Sequence, residues 1–330
     1  MMDMTVLVAL ITAAVSLALA IFSSWTSLRS QRSLEKLKSE LAEQQAEQNA
    51  RRDYEYEARK RLYHECEPLL FQLIEASETA LSHMRGIAAR VKAVDEPLYS
   101  ESYYLKTTMY RLLLPCAVLK LFTTRLTLVD LEVDRAIYTQ YVLARAIYLS
   151  YTDDFRLARL VKRLEYNPYV EGWSEKRKQN PQVYRRQGFP LGRLDNALDA
   201  LIIGEEKTGY RFVSFGQFEE MFDALKEEDV KSSLGTARDL FFAFHPSTRP
   251  VLWRILIAQV LLYRGILEFS RRKEMSSSEI LAFITSLPKE EMLDFDWRST
   301  EQKGNNETIF EPFEVAKAYL GTELKRLVSR

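Results

Sequence analysis

The chain has 330 residues, and its 46 lysines and arginines equal its 46 aspartates and glutamates in number. This balance excludes a global field that would select nucleic acid or an acidic surface, so any such preference has to be local. The two cysteines, Cys66 and Cys116, exclude a disulfide-rich scaffold and favour reduced thiols, with a single disulfide as the alternative.

The first predicted element is a membrane anchor. Residues 5–25 carry no charged side chain, and at about 1.5 Å per residue they span the roughly 30 Å core of a bilayer once. Trp25 suits the membrane interface, and Arg29 and Arg32 follow the apolar run. The Lys/Arg bias therefore predicts that residues 1–26 cross the cell membrane once, with the N-terminus outside and the remainder in the cytoplasm.

Two alternatives concern the same segment. Ala18-Leu19-Ala20 resembles a signal-peptide cleavage site, but the apolar run continues through Ile21 and Phe22, which favours a retained anchor. Small residues recur at four-residue spacing, as in Ala14 and Ala18, and such a face lets two membrane helices approach closely. A homo-oligomer formed through the anchor and the following stalk is therefore a possible assembly.

Residues 27–61 predict a polar helical stalk, because they are helix-favouring and contain no glycine or proline. Leu34, Leu37 and Leu41 have the spacing of a coiled-coil seam, but glutamines occupy the next seam positions. The coiled-coil signal is therefore weak and lasts barely two heptads.

Residues 62–330 predict a mostly α-helical globular domain. A broad apolar face begins at Leu62 and marks a core helix, in which Pro68 should produce a kink or begin a new helix. Residues 201–215 predict the one plausible β-hairpin, with Gly204 and Gly209 bracketing its turn. Further helices are expected at roughly 101–126, 131–150, 153–166, 190–203, 215–227, 236–244, 250–271, 277–287 and 311–328.

The helix at 250–271 is apolar enough to be weighed as a second membrane span. Arg254 and Arg264 bound an uninterrupted apolar run of only about nine residues, and Gln259 lies within it. This length predicts a buried core helix.

Two long stretches, 167–192 and 294–311, show no clear helical face, and such stretches are usually functional or disordered. The first overlaps a cationic segment without acidic residues from 176 to 193. Its candidate contacts are Lys176, Arg177, Lys178, Arg185, Arg186 and Arg193, with the aromatic residues Trp173 and Tyr184. This composition suits a protein or anionic lipid contact, a single-stranded nucleic acid, or a solvated loop.

The segment from Arg238 to His245 reads RDLFFAFH. An arginine followed by a polar residue, with a histidine a few residues later, resembles the motif of the HEPN ribonucleases, which are small all-helical domains that act as dimers. The resemblance implies that His245 would transfer the proton and Arg238 would stabilise phosphorane charge. It covers only eight residues, and Arg59 with His64 has a similar spacing, so it remains a weak alternative.

No cofactor or metal site is predicted. The glycines of a phosphate or dinucleotide loop are missing, and His64 with Cys66 lacks the second ligand pair of a zinc site. The sequence therefore favours a non-catalytic interaction, sensing or scaffold protein that is held at the bilayer and binds a protein partner. A membrane-tethered nucleic-acid-binding protein or ribonuclease is the alternative.

Overall fold

The fold is mainly α-helical, as predicted. The computed structural model describes residues 4–93, 103–125, 131–160, 166, 168, 172–179, 186–205, 209–224, 233–272, 275–295 and 311–328. These residues contain eleven α-helices and one two-stranded sheet. The chain divides into an N-terminal unit, residues 1–60, and a helical unit, residues 61–330.

The N-terminal unit consists of the first part of helix α1, which begins at Met4 and ends at Ala93. The predicted long apolar helix is present, and its side chains are exposed, with Leu17 at 65% and Leu19 at 63%. The polar part is supported by pairs one turn apart, such as Arg51 with Glu55 at 3.3 Å. The coiled coil stays a prediction, since the seam leucines are also exposed.

Helix α1 continues through Pro68, so the expectation of a new helix start there is wrong. Proline removes one backbone hydrogen bond and normally disfavours a helix interior. Leu62, Cys66, Leu69 and Leu73 flank it on one face and are buried in the core. Their burial stabilises the helical conformation on both sides of the proline.

The other elements follow the predicted order closely. Helices α9 and α11 have the predicted bounds, and residues 296–310 of the second irregular stretch lie outside the described residues. The helices are α2 Tyr103–Arg125, α3 Arg135–Thr152, α4 Asp154–Arg159, α5 Trp173–Gln179, α6 Leu191–Asp199, α7 Phe215–Asp223, α8 Ser233–Phe241, α9 Pro250–Arg271, α10 Ser277–Ser286 and α11 Glu311–Val328. Short 3-10 helices span Leu131–Val133 and Lys289–Phe295.

The predicted hairpin is also present. Strands β1, Ile202–Glu205, and β2, Gly209–Phe212, pair antiparallel with Ile202 opposite Phe212. Gly209 has a φ of +82°, a backbone conformation in which a residue with a side chain would be strained.

Helix α5 was not expected, because residues 167–192 were predicted to lack a helix. Its sequence, WSEKRKQ, contains one large apolar residue, so no 3.6-residue periodicity announces it. Ion pairing supports it instead, with Lys178 donating to Glu175 at 2.8 Å.

Helix α9 is the centre of the helical unit and packs against α3, α4, α10 and α11. Its most apolar window is 83% buried, which confirms the prediction of a core helix. Gly265 allows a close approach to α10, since a Cβ there would lie 2.7 Å from the Cδ1 atom of Ile284. Two of the three arginines of α9 form ion pairs with other elements, buried Arg254 with Glu311 at 2.9 Å and Arg264 with Glu291 at 2.7 Å.

A buried polar chain fixes the start of α9. The Oε1 atom of Gln187 accepts hydrogen bonds from the backbone N–H groups of Val251, at 2.8 Å, and Leu252, at 3.4 Å. The backbone N–H of Gln187 donates to the hydroxyl of Tyr166, which donates to the carboxyl of Asp154 at 2.6 Å. Burial raises the pKa of Asp154, against the opposing effect of the Tyr166 bond.

Candidate functional site

A pocket opens in the helical unit between α1, α2 and the start of α7. Its inner part has a volume of about 270 Å³ and an almost wholly apolar lining. The inner lining consists of Ala76, Thr79, Tyr103, Thr107, Tyr110, Arg111, Leu114 and Phe215. Concave, largely apolar sites with a few polar groups are where proteins bind small molecules.

Three aromatic rings form one wall of the pocket. The ring of Phe215 lies edge-on to those of Tyr103 and Tyr110, with centroids 5.6 Å and 5.5 Å away. The Tyr110 hydroxyl donates to the backbone carbonyl of Val213 at 2.8 Å, which ties α2 to the segment before α7. Ser214 then begins α7 with a capping box, so Phe215 is held at a fixed helix start. Tyr110 and Phe215 are therefore held in place, whereas Tyr103 is 57% exposed at the first residue of α2.

Arg111 is the cation of the pocket, and it is half-buried on α2. Within the described residues, no carboxylate lies within ion-pair distance of its guanidinium and no oxygen accepts a hydrogen bond from it. A guanidinium presents five N–H donors in a planar fork, a geometry suited to a carboxylate or phosphate. The pocket therefore offers an unused anion-binding group beside an apolar cavity.

The histidine next to Arg111 is neutral and structural. The Thr108 hydroxyl donates its single proton to the carbonyl of Tyr104 at 2.7 Å, so the His83 Nε2 atom, 2.7 Å from the Thr108 oxygen, must donate. Burial, with a smaller effect of the Arg111 charge, lowers the pKa of His83 to about 4. At neutral pH His83 adds no second positive charge.

A second, more polar cavity of about 580 Å³ adjoins the first and is called the outer part of the site. Glu75, Glu78, Thr79, Ser82 and Arg111 line it, so Thr79 and Arg111 border both parts. In the described chain, no ion pair engages either glutamate, and no group of three His, Cys, Asp or Glu side chains is arranged to hold a metal ion.

The cationic segment predicted from the sequence is only partly described. Lys176 and Lys178 are exposed on α5, and the ring of Trp173 packs edge-on against Tyr166 at 5.2 Å. Arg186 lies near buried Asp154 and lowers the pKa of that carboxyl, although burial has the larger, raising effect. Arg193 is half-buried on α6. The side chains of Arg177, Tyr184 and Arg185 lie outside the described residues.

The two residues of the ribonuclease-like motif are differently placed. Arg238 is half-buried on α8, whereas His245 lies beyond the end of that helix with only 3% of its surface exposed. The His245 Nδ1 atom accepts from the backbone N–H of Ser247, and the Arg249 guanidinium donates to the carbonyls of Leu240 and Phe242. The motif therefore helps to build the α8–α9 turn and leaves His245 little access to a nucleic acid.

The predicted membrane flank lies on the exposed part of α1. Trp25 is 55% exposed, and the Arg29 guanidinium lies 5.4 Å from its ring centroid. Arg32 follows about one turn later and is also exposed. An indole with adjacent cations suits the headgroup level of a bilayer.

Comparison of the chain with protein-family models, with curated proteins and with solved structures gives no match. The geometry of the pocket and of the exposed apolar helix therefore carries the functional argument. Sequence reasoning missed the pocket, since its residues come from three elements. The one local feature of the sequence that pointed to the pocket was Arg111, a cation directly before the apolar run Leu112 to Leu114 of α2.

Proposed function

We propose that this protein is a single-pass membrane-anchored sensing and interaction protein. Residues 1–26 form the anchor with the N-terminus outside, and the helical unit lies in the cytoplasm, where it binds a ligand and presents a surface to a protein partner. The proposal assigns no catalytic step to the chain. The pocket supports the sensing role, because it combines an aromatic wall with a guanidinium that has no acceptor among the described residues.

The observation that carries the anchor is a contrast between two apolar helices. Both α1 and α9 have windows apolar and long enough to cross a membrane, with mean hydropathies of 1.6 and 1.4. The window in α9 is 83% buried, whereas the window in α1 is 0% buried. An exposed apolar surface of this length is unfavourable in water and favourable in lipid.

The anchor is tested by alkaline carbonate extraction of membranes from cells that express the full chain. Ala14→Arg with Ala18→Arg places two charges inside the apolar run, each of which disfavours insertion by about 2.5–3.5 kcal/mol at a helix centre. We expect the unmodified chain to stay in the membrane pellet and the Ala14/Ala18 variant to become soluble or to be degraded.

The matched control has the same substitutions at the same spacing in the polar part of α1, Ala46→Arg with Ala50→Arg. Both alanines are exposed, so this variant should stay in the pellet. Extraction of the unmodified chain by carbonate would contradict the anchor. Shortening of the mature chain near Ala20, measured by intact mass, would support a cleaved signal instead.

A further inference from the structure

We propose that the pocket binds a small zwitterion with an apolar side group, of the chemical class of a free apolar α-amino acid. This inference rests on the proposed sensing function and names its ligand class. The carboxylate contacts Arg111, the apolar group lies against the aromatic wall, and the ammonium faces the glutamates of the outer part.

The size and lining of the inner part limit the apolar group. A volume of about 270 Å³ is small for a ligand pocket, since pockets that bind drug-sized ligands have volumes of about 300–1,000 Å³. The edges and faces of Tyr103, Tyr110 and Phe215 offer contacts to an aliphatic or aromatic group. The Thr107 hydroxyl already donates to the carbonyl of Tyr103 at 2.8 Å, so this wall favours apolar contact.

The positive charge of Arg111 favours a ligand with an anionic group. Arg111 borders both the inner and the outer part, so a carboxylate bound there would leave its apolar substituent in the inner part. Bidentate arginine–carboxylate pairs are among the stronger hydrogen-bonded contacts in proteins. Because His83 is neutral, Arg111 is the one cation that lines the site among the described residues.

The outer part adds a requirement for a positive group. Glu75 and Glu78 line it and would repel a ligand that carries negative charge alone. A simple cation would in turn be repelled by Arg111. A small molecule that carries one charge of each sign complements both the guanidinium and the glutamates.

The test measures binding of L-phenylalanine to the full chain in detergent by isothermal titration calorimetry. Three analogues of phenylalanine each remove one of its charges. 3-Phenylpropionate lacks the ammonium, phenethylamine lacks the carboxylate, and N-acetyl-L-phenylalanine has a neutral amide in place of the ammonium. We expect saturable binding of phenylalanine and at least tenfold weaker binding of each analogue.

Variants then assign the contacts. Arg111→Gln should weaken phenylalanine binding by about 10–100-fold, because a charged hydrogen-bonding partner is lost. Arg111→Lys should give an intermediate loss, since it keeps the charge without the fork. Glu75→Gln with Glu78→Gln should weaken binding by about two- to fivefold, as expected for exposed charges. Arg135→Gln, an exposed arginine on α3, is the matched control and should bind like the unmodified chain.

Unchanged binding in both Arg111 variants would overturn the site. Equal binding of 3-phenylpropionate or N-acetyl-L-phenylalanine would overturn the zwitterion in favour of a simple carboxylate. Absence of binding by phenylalanine would overturn the ligand class, while the carbonate extraction would still report separately on the membrane anchor. A thermal unfolding curve for each variant shows whether it is folded.

Discussion

His83 is the residue through which the fold most clearly couples to pH. It is held between α1 and α2 by its bond to Thr108, and burial lowers its pKa to about 4. In the unfolded chain its pKa is about 6.5, so between these values the unfolded state binds one proton more than the folded state. The stability that neutral His83 contributes is therefore present above about pH 6.5 and is lost as the pH falls toward 4.

The His83→Gln variant should remove this dependence, since a glutamine amide also donates to the Thr108 oxygen and does not titrate. We expect the unmodified chain to lose about 2 kcal/mol more than the variant between pH 7.5 and pH 5. The measurement is thermal unfolding of both full chains in detergent at the two pH values.

The pH dependence of stability has to be compared between the unmodified chain and the His83→Gln variant. Burial raises the pKa values of Asp153 and Asp154, and a raised carboxyl pKa gives the opposite slope just above the ordinary aspartate range. These contributions are common to both chains and cancel. An equal pH dependence in the two would show that His83 is accessible to protons in the folded state.

At the scale of elements, the start of α9 depends on a residue far away in sequence. Its N-cap residue, Arg249, provides no side-chain cap, and Pro250 has no N–H to satisfy. Gln187 accepts from the next two N–H groups, as an N-cap side chain normally would. The Gln187 side chain therefore joins the residues just before α6 to the start of α9.

Gln187→Leu should destabilise the helical unit by about 1–3 kcal/mol, because two buried N–H groups lose their acceptor. The substitution changes side-chain volume little, so most of the effect reports the lost cap. The measurement is thermal unfolding of the full chain at pH 7.5. Gln72→Leu, at an exposed position of α1, is the control, and a similar loss in both variants would argue against capping.

Elements with strong local patterns were predictable from the sequence. The apolar periodicity and Pro250 located α9, and Ser214 with Gln217 announced the capping box of α7. Elements that depend on distant partners were not predictable. The continuity of α1 through Pro68 requires the core to be in place, and the Gln187 cap joins positions 64 residues apart.

At the scale of the whole molecule, the same limit applies to the pocket. Each of its elements could be predicted as a helix, but the meeting of Arg111 with the rings of Tyr103 and Phe215 depends on how α2 packs against α1 and α7. Long-range packing of this kind leaves no fixed spacing in the sequence. The fold class was therefore predictable, and the candidate site was not.

The proposed membrane orientation of the chain is tested with Gln45→Cys, at an exposed position of α1 beyond the apolar run. A membrane-impermeant maleimide should label this variant only after the cells are lysed, because the polar part of α1 is proposed to lie in the cytoplasm. The unmodified chain is the control for this variant. Its two thiols are free and buried, and burial raises the pKa of both, that of Cys66 to about 12. Labelling of intact cells would reverse the proposed topology.

The arginines of α9 have a consequence for biosynthesis. Under the proposed membrane insertion of the first apolar run, the insertion machinery would meet a second candidate at Pro250–Arg271 before the helical unit has folded. Arg254 and Arg264 leave only about nine apolar residues between them, well short of the about 20 that a span requires. Arg254 and Arg264 pair with Glu311 and Glu291 in the folded chain. During synthesis, the same two arginines would disfavour insertion of this helix into the membrane.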